Sequence, residues 1–315
     1  MSLTTSLSVA LSGLNTAAEQ LAVVSRNVSN SGVDGATRKV ANPETTDLGG
    51  TRIASIVRLT STSLQEKVLT TSADAGAQKV IADALSQFDP TVNDPSLDGS
   101  PSGLLSKFSS ALQTFATAPQ DATVANAAIS AAKDLAQGLN NASLAVQNQR
   151  TLADKGIASS VSTINDLLSQ FKILNDAIIR GTATRSDMTD TLDQRDQLVQ
   201  KLSQEIGIRT VVDANNNMSV YTDQGVTLFN GIPRLLTFQS IPAFGANTTG
   251  NVVYADGVAI VGGSGSMVSK TGRLAGYAAV RDDYAVTYQN QLDEVSRALV
   301  EAFSETDPSG AQLPA

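Results

Sequence analysis

Apolar positions recur every seven residues at the start of the chain. Leu7, Leu14, Leu21 and Val28 form one series, and Leu11, Ala18 and Ser25 fill the intermediate positions. This is the spacing of a helix that packs against other helices. The stretch Asn27-Val28-Ser29-Asn30-Ser31-Gly32 closes the pattern with residues suited to a helix C-terminus. Glu19 is the one charged residue among the first 25. A helix so poor in charge and rich in Ser and Thr is marginal by itself in water. The pattern fits two situations: a helix folded onto its own domain, or one whose seam is covered by other chains.

Residues 31–50, rich in Gly, Asn, Asp and Thr, read as a loop, and 51–60 as an extended segment. Ser63 to Phe88 carries a helical stripe, and the two prolines of Asp89–Pro95 break it. A second stripe, Leu105, Phe108, Leu112 and Phe115, lies within Leu104–Phe115. From Asp121 to Arg180 there is no proline, and Gly138 and Gly156 are the only glycines. Ile157, Ile164, Phe171 and Ile178 recur every seven residues there, with Val161 and Leu168 between them. A continuous helix of that length spans about 90 Å, which implies a rod-like bundle or coiled coil. Asn175 falls on the same seam, either as a register-fixing polar residue or as a partly exposed one. Thr184 to Ile206 predicts another helix, with Ser186 as its cap.

The character changes from Ile208 to about Val268. Thr210–Val212 and Met218–Tyr221, separated by Asp213-Ala214-Asn215-Asn216-Asn217, read as two strands and a turn, and six further glycine-marked turns complete a small β-rich unit. Helical spacing returns at Leu292, Val295, Leu299 and Phe303, and residues 306–315 read as an open end. The expected fold is therefore mainly α, an elongated bundle of long helices with an inserted small β-rich domain.

Composition narrows the chemistry. The chain has 315 residues, 41% hydrophobic, with 4% aromatics and no Trp, so its core is mostly Ala, Leu, Val and Ile. Cys and His are absent, which excludes disulfides, Cys nucleophiles, His bases and most zinc and haem sites. A net charge of −8 without a basic patch argues against nucleic acid or an anionic membrane as partner. No apolar run approaches 18 residues, so no membrane span is expected. The N-terminus lacks the basic and apolar blocks of a cleaved secretion signal.

Candidate sites are few. Gly265-Ser266-Met267-Val268-Ser269-Lys270-Thr271 resembles a phosphate loop but lacks the glycine before the lysine, and reads as a turn. Asp213, Asn215 and Asn217 have calcium-loop spacing, but Met218 and Gln224 stand where Gly and Glu are required, so this too reads as a turn. The charged run Leu192-Asp193-Gln194-Arg195-Asp196-Gln197-Leu198 places Leu192, Leu198 or Val199, and Leu202 on a packed side. Asp193 and Asp196 are free to pair with Arg195 or a neighbouring helix, and such a run is most often a solvated face. As a catalytic carboxylate pair it fails, because nothing apolar nearby raises either pKa. No catalytic, cofactor or metal residue is assigned, and the chain is not expected to be an enzyme.

Ser12-Gly13-Leu14-Asn15-Thr16-Ala17, Leu21, Ser25, Asn27-Val28-Ser29-Asn30 and Gly35-x-x-Arg38 resemble the N-terminal signature of bacterial flagellar rod, hook and hook-associated proteins. In that signature an amphipathic helix ends in Asn-Ile-Ala-Asn before a loop with Gly-Tyr-x-Arg; here Ala36 replaces the Tyr and Ala18 a common Gln. The Leu192–Asp196 string closely resembles a segment of the hook-associated protein 1 family. Ala118-Pro119-x-Asp121, Ile164-Asn165, Leu174-Asn175-x-x-Ile178, Gly272-Arg273-Leu274-x-Gly276 and Arg281-Asp282 resemble further motifs of that family, in order. Rod and hook proteins share only the N-terminal part.

The resemblance implies a structural protein of the hook–filament junction. It implies a subunit that self-assembles into a ring layer and contacts hook protein, other hook-associated proteins and an export chaperone. It further implies an extracellular location in the flagellum, reached by type III export without a cleaved signal. On this reading Leu7, Leu11, Leu14, Leu21 and Val28 form the subunit interface, and Asn27, Asn30, Arg38, Leu192, Asp193, Arg195 and Asp196 are structural motif residues. The expected domains are 1–60, a coiled-coil assembly helix with a connecting loop; 61–207, a helical bundle; 208–270, the β-rich domain; and 271–315, a return to the bundle. Family members finish with a second amphipathic helix that pairs with the first and serves the chaperone. It is not found here, so a truncated end is expected. The alternatives are a hook or rod component, or a cytoplasmic coiled-coil signalling protein.

Overall fold

The computed structural model describes residues 3–47, 49–88 and 98–304. The chain begins with α1 (Leu3–Ser29), followed by an antiparallel hairpin of β1 (Lys39–Thr45) and β2 (Thr51–Arg58). The segment expected as loop thus contains a strand. Its turn-forming composition marks the ends, while Val40 pairs across to Val57 and Ala41 to Ile56 in regular register. A bulge at Asn42/Pro43 accommodates the proline, which has no N–H for the ladder.

The body is built on α4 (Ala122–Ala183), a single helix of 62 residues. Asp121 caps it by accepting the Thr123 N–H at 2.7 Å. Its seven-residue series is buried as the spacing requires: Ile157, Ile164, Phe171, Ile178 and Leu168 are at most 1% exposed. Gly138 and Gly156 sit where neighbours press on the helix, against Leu104 and the ring of Tyr277, and a Cβ at either position would collide. Around α4 pack α2 (Thr62–Phe88), α3 (Pro101–Thr117), α5 (Thr189–Glu205), α6 (Arg273–Ala279) and α7 (Ala285–Phe303), with a π-helical turn at Val280–Tyr284 joining the last two. The expected break at Asp89–Pro95 and the expected open end at 306–315 lie outside the described residues.

The start of α5 differs from expectation: Met188 holds the N-cap position without a side-chain cap bond, and the bonding carboxylate lies just before it. Asp187, not Ser186, accepts from the Thr189 N–H (3.0 Å) and hydroxyl (2.7 Å). Its carboxylate also meets a cation from α1, described below.

Between α5 and α6 the chain forms two small antiparallel sheets. The first has the order β3 (Ile208–Val212), β4 (Met218–Thr222), β5 (Thr227–Asn230) and β6 (Ile232–Pro233); the second has β7 (Leu236–Thr237), β8 (Val253–Ala255) and β9 (Val258–Val261). The Asp213–Asn217 stretch is a hairpin turn. Asp213 Oδ1 accepts from the N–H groups of Asn215 and Asn217, and Asn216 adopts a left-handed conformation at φ 59°.

One large hydrophobic cluster unites α4, α5, α6 and both sheets, and two smaller ones join α2 and α4, one to α7 and the other to the π-helical turn. Polar ties supplement it. The Asn165 side-chain amide exchanges two hydrogen bonds with the backbone of Leu236 (3.0 and 2.9 Å). Arg150 donates to the carbonyls of Gly245, Thr248 and Arg281, holding the irregular segment after β7 against α4. No residue before Leu69 belongs to any of the three clusters.

Candidate functional site: an exposed helical seam on a polar joint

Helix α1 has two stripes, each with a seven-residue period. Thr16 and Val23 are its buried residues and Val9 and Asn30 are half-buried on the same line. Leu7, Leu14, Leu21 and Val28 lie two positions away, or about 200° around the helix. They are 60–68% exposed, and Leu11 is 52% exposed. The first stripe faces the hairpin. Ser12 Oγ accepts the Thr51 N–H at 3.1 Å, and the Thr51 hydroxyl donates to Thr16 Oγ1 at 3.2 Å. Asn27 clamps the start of β1 by two hydrogen bonds with the Lys39 backbone, 2.8 and 2.9 Å. Asn30 closes the helix, its N–H donating to the Arg26 carbonyl at 3.0 Å. The Arg38 side chain is exposed, while its carbonyl accepts from Leu59 at 2.9 Å. The uncharged, Ser/Thr-rich face is thus the inner one, and the aliphatic seam is left uncovered.

By length and composition α1 is also apolar enough to cross a membrane, although polar residues interrupt every apolar run within it. Two of the interrupting residues, Ser12 and Thr16, make its bonds to Thr51 of the hairpin.

The α1–hairpin unit meets the body at α5. Four aspartates spaced by three, Asp187, Asp190, Asp193 and Asp196, face cations brought by the N-terminal segment. Arg26 pairs with Asp187 at 2.9 Å, Lys39 with both Asp190 and Asp193, and Arg58 with Asp193 at 2.8 Å and Asp196 at 2.7 Å. Thr37 donates its N–H (3.1 Å) and hydroxyl (2.6 Å) to Asp193, and Gln197 donates to the Asp34 carbonyl at 2.8 Å. The Lys39 side chain is 1% exposed and that of Asp193 7%. Burial pushes the Asp193 carboxyl up, but bonds from Thr37, Arg58 and Lys39 outweigh it and hold the group below the usual carboxylate range. Burial pushes Lys39 down, and its bonds to Asp190 and Asp193 more than reverse this.

The charged run is therefore not a solvated face, and Asp193 and Asp196 do not pair with Arg195. Their partner is Arg58, from a strand more than 130 residues earlier. Arg195 points the other way and is 2% exposed. It donates to Asn175 Oδ1 (3.0 Å) and the Asn216 carbonyl (2.6 Å). Burial there, only partly offset by Asp196, pushes its pKa down to about 10, so it stays charged at neutral pH. Asn175, fully buried, also accepts the Met218 N–H at 3.0 Å and donates to Asn217 at 2.8 Å. Leu192 is half-buried, whereas Val199 and Leu202 enter the main core.

The sequence named Asp193 and Asp196 of this joint and left out Asp187, Asp190, Arg26, Thr37, Lys39 and Arg58. A signal was available. Residues 1–60 carry five basic and four acidic side chains, net +1, against −9 for the remainder. Like charges three apart on a helix repel unless cations meet them. Asp193 and Asp196 are both engaged by Arg58, and no group of acidic side chains among the described residues is arranged to hold a metal.

Comparison with known proteins fits this architecture. Residues 85–314 match the family model described as the flagellar hook-associated protein FlgK helical domain. The flagellar hook-associated protein 1 of Salmonella typhimurium is 28% identical over 312 residues, covering 96% of this chain and 56% of that protein. That of Escherichia coli K12 is 26% identical over 310 residues, again 96% and 56%. The chain thus spans about half the length of these relatives. The solved structure of the flagellar hook junction protein FlgK from Burkholderia pseudomallei superposes with a TM-score of 0.55 at 25% identity, covering 69% of this chain and 39% of that one. With well over half of its length matched by the family model, this chain belongs to the flagellar hook-associated protein FlgK family.

Proposed function

We propose that this chain is a structural subunit of the bacterial flagellum, forming the junction layer between hook and filament by packing and not by catalysis. The observation that carries the reading is the uncovered seam of α1. Five large aliphatic side chains in heptad register, Leu7, Leu11, Leu14, Leu21 and Val28, lie more than half exposed on a helix whose other face is already occupied. Such a stripe gains about 1.5–3 kcal/mol for each leucine that neighbouring helices bury. The partners of this reading are further copies of the chain in a ring layer, hook protein, other hook-associated proteins and an export chaperone. The location is extracellular, reached by type III export without a cleaved signal. Asn27, Asn30 and Arg38 serve the helix end and hairpin, Asp193 and Asp196 the joint that carries them, and Leu192 and Arg195 the packing of that helix on the body. The family match over 85–314 favours the junction over a hook or rod component, because it lies outside the N-terminal signature that those proteins share.

The test is fractionation of flagellated cells of the source bacterium, with mass spectrometry of sheared hook–filament preparations. Peptides of this chain are expected in the sheared fraction. Recovery from the cytoplasmic fraction alone overturns the structural reading and revives a cytoplasmic coiled-coil protein.

A further inference from the structure

We propose that Asn230 is a site of spontaneous covalent modification, where the Gly231 backbone nitrogen closes onto the Asn230 side-chain amide and the residue is converted to aspartate and isoaspartate. This goes beyond the junction reading and does not depend on it.

Asn230–Gly231 is the one Asn–Gly pair in the chain. It lies at the tip of the β5–β6 hairpin, and both residues are exposed. Gly231 adopts φ +74°, a conformation open to glycine. Among the described residues, no atom beyond its chain neighbours lies within 4 Å of the place a Cβ would take there, and its N–H has no acceptor. The Ser219 hydroxyl donates to Asn230 Oδ1 at 3.3 Å, which makes Cγ more electrophilic. Strand β6 is two residues long and one of them is Pro233, so the ladder restrains the tip little. Other asparagines outside the helices differ in the atom that would attack. The N–H groups of Asn216, Asn217 and Met218 donate to the Asp213 carbonyl (3.1 Å), Asp213 Oδ1 (3.0 Å) and Asn175 Oδ1 (3.0 Å), so the nitrogens that follow Asn215, Asn216 and Asn217 are engaged. Those after Asn30 and Asn247 donate to the carbonyls of Val28 (3.3 Å) and Gly245 (3.1 Å). Asn42 is followed by a proline and Asn251 by the β-branched Val252.

The conversion needs only water. The Gly231 nitrogen loses its proton to solvent base and attacks Asn230 Cγ. The new N–C bond closes a cyclic imide, and the bond from Cγ to the side-chain nitrogen breaks, releasing ammonia. Water then opens the ring. Addition at Cγ restores the main chain and leaves aspartate. Addition at the Asn230 α-carbonyl leaves isoaspartate, whose main chain runs through Cβ and Cγ. Either product adds one negative charge. Isoaspartate also lengthens the backbone by one methylene between β5 and β6, which breaks the pairing of residue 230 with Ile232 while Leu228 and Phe229 remain in the core.

The purified full chain is incubated in its folded state at neutral and at mildly alkaline pH, beside a sample unfolded in urea. Peptide mapping by mass spectrometry, with electron-transfer fragmentation, locates each new acid and separates aspartate from isoaspartate. In the folded chain, both products are expected at position 230, faster at the higher pH, while Asn215, Asn216, Asn217 and Asn247 keep their amides. Asn230→Gln is expected to keep its amide over the same period, because the longer side chain closes its ring far more slowly. Position 230 is exposed, so the helical circular dichroism of this variant should be unchanged. Conversion confined to the urea sample overturns the inference, since the fold then protects the site. So does conversion of the Asn215–Asn217 turn at the same rate, or loss of the amide in Asn230→Gln as fast as in the unaltered chain. Aspartate without isoaspartate means direct hydrolysis and removes the ring-closing step. None of these readouts involves a partner chain, so failure of the junction reading leaves the test intact.

Discussion

The β-rich unit and the N-terminal arm hang on the same helical body by opposite means. The β unit is fused to α4 and α5 through a continuous apolar cluster, with Ile164, Leu168, Phe171, Val220, Leu228 and Phe229 essentially inaccessible to water. Buried side-chain amides of Asn165 and Asn175 fix its register on the helix. The arm has no share of that core and is held by cations on a ladder of aspartates. An apolar joint carries no titratable group, whereas an ionic joint built on carboxylates responds to acid. The contrast is one of attachment: the β unit shares the apolar core of the body, and the arm rests on it through ion pairs and hydrogen bonds.

The comparison breaks most severely at the apolar joint. Phe171 is 1% exposed and meets the Phe229 ring edge-on at 4.8 Å between centroids. Phe171→Ala leaves a cavity between α4 and the first sheet, and a loss of about 3–5 kcal/mol is expected in urea unfolding of the whole body. Asn175→Ala is expected to cost about 2–3 kcal/mol. It leaves the Met218 N–H without its acceptor and the buried Arg195 guanidinium with the Asn216 carbonyl alone, in a site where Arg195 Nε already has no partner. Asn175→Asp, which offers Arg195 a carboxylate, is expected to lose less than the alanine variant in the same unfolding series. Equal losses in the two variants would show that the amide serves only the strand.

Acid sharpens the comparison from the other side. The carboxyls of Asp187 and Asp193 are each pushed up by burial and held down more strongly by their hydrogen bonds and cations, so both lie below the ordinary range. A carboxyl whose folded pKa is depressed contributes stability that is complete above its unfolded value, about 4, and lost as pH falls through the folded value. The groups that face Asp193 are Thr37, Lys39 and Arg58 from the arm, with Asp190 and Asp196 on its own helix. Lys39 and Arg58 keep their protons throughout, since both are raised. Docking of the arm is therefore expected to persist from neutral pH to about pH 4 and to weaken below it. Hydrogen exchange at residues 35–39 should rise in that window before exchange in α4 does.

The same contrast explains what could be read from the sequence alone. The 62-residue helix was legible because one seven-residue series runs through it without proline, and the small β-rich unit because turn residues punctuate short β-branched runs. Strand β1 was hidden in a composition that reads as loop, because a two-stranded hairpin packed under one helix needs little apolar alternation. Family membership was legible from ordered motifs, yet the physical meaning of the Leu192–Asp196 string was not. Its partners Lys39 and Arg58 lie more than 130 residues away, and no local period connects a ladder of aspartates to cations on a distant hairpin. Arg195 shows the same limit. Flanked by aspartates in sequence, it turns inward to Asn175, because the i and i+3 positions of a helix share a face and the residue between them does not.

The smallest effect on stability comes from the outer stripe of α1. Leu14 is 67% exposed and Leu21 66%, and neither contributes to a buried cluster. Leu14→Asp and Leu21→Asp are expected to shift the unfolding free energy by less than about 0.5 kcal/mol, the range of surface substitutions that touch no special feature. Their effect on assembly is expected to be large. Covering the seam in a ring would bury an unpaired carboxylate, which demands either neutralisation or several kcal/mol of desolvation. Val23→Asp separates the two faces of the helix. Val23 is 4% exposed against the hairpin, so this change should unsettle the isolated arm, visible as lost helical dichroism, whereas the Leu14 and Leu21 variants should leave the monomer spectrum unchanged. A Leu14→Asp chain that enters hook–filament preparations as efficiently as the unaltered one would remove the outer stripe from the interface. The packing face of α1 would then have to be sought on the side that already holds the hairpin.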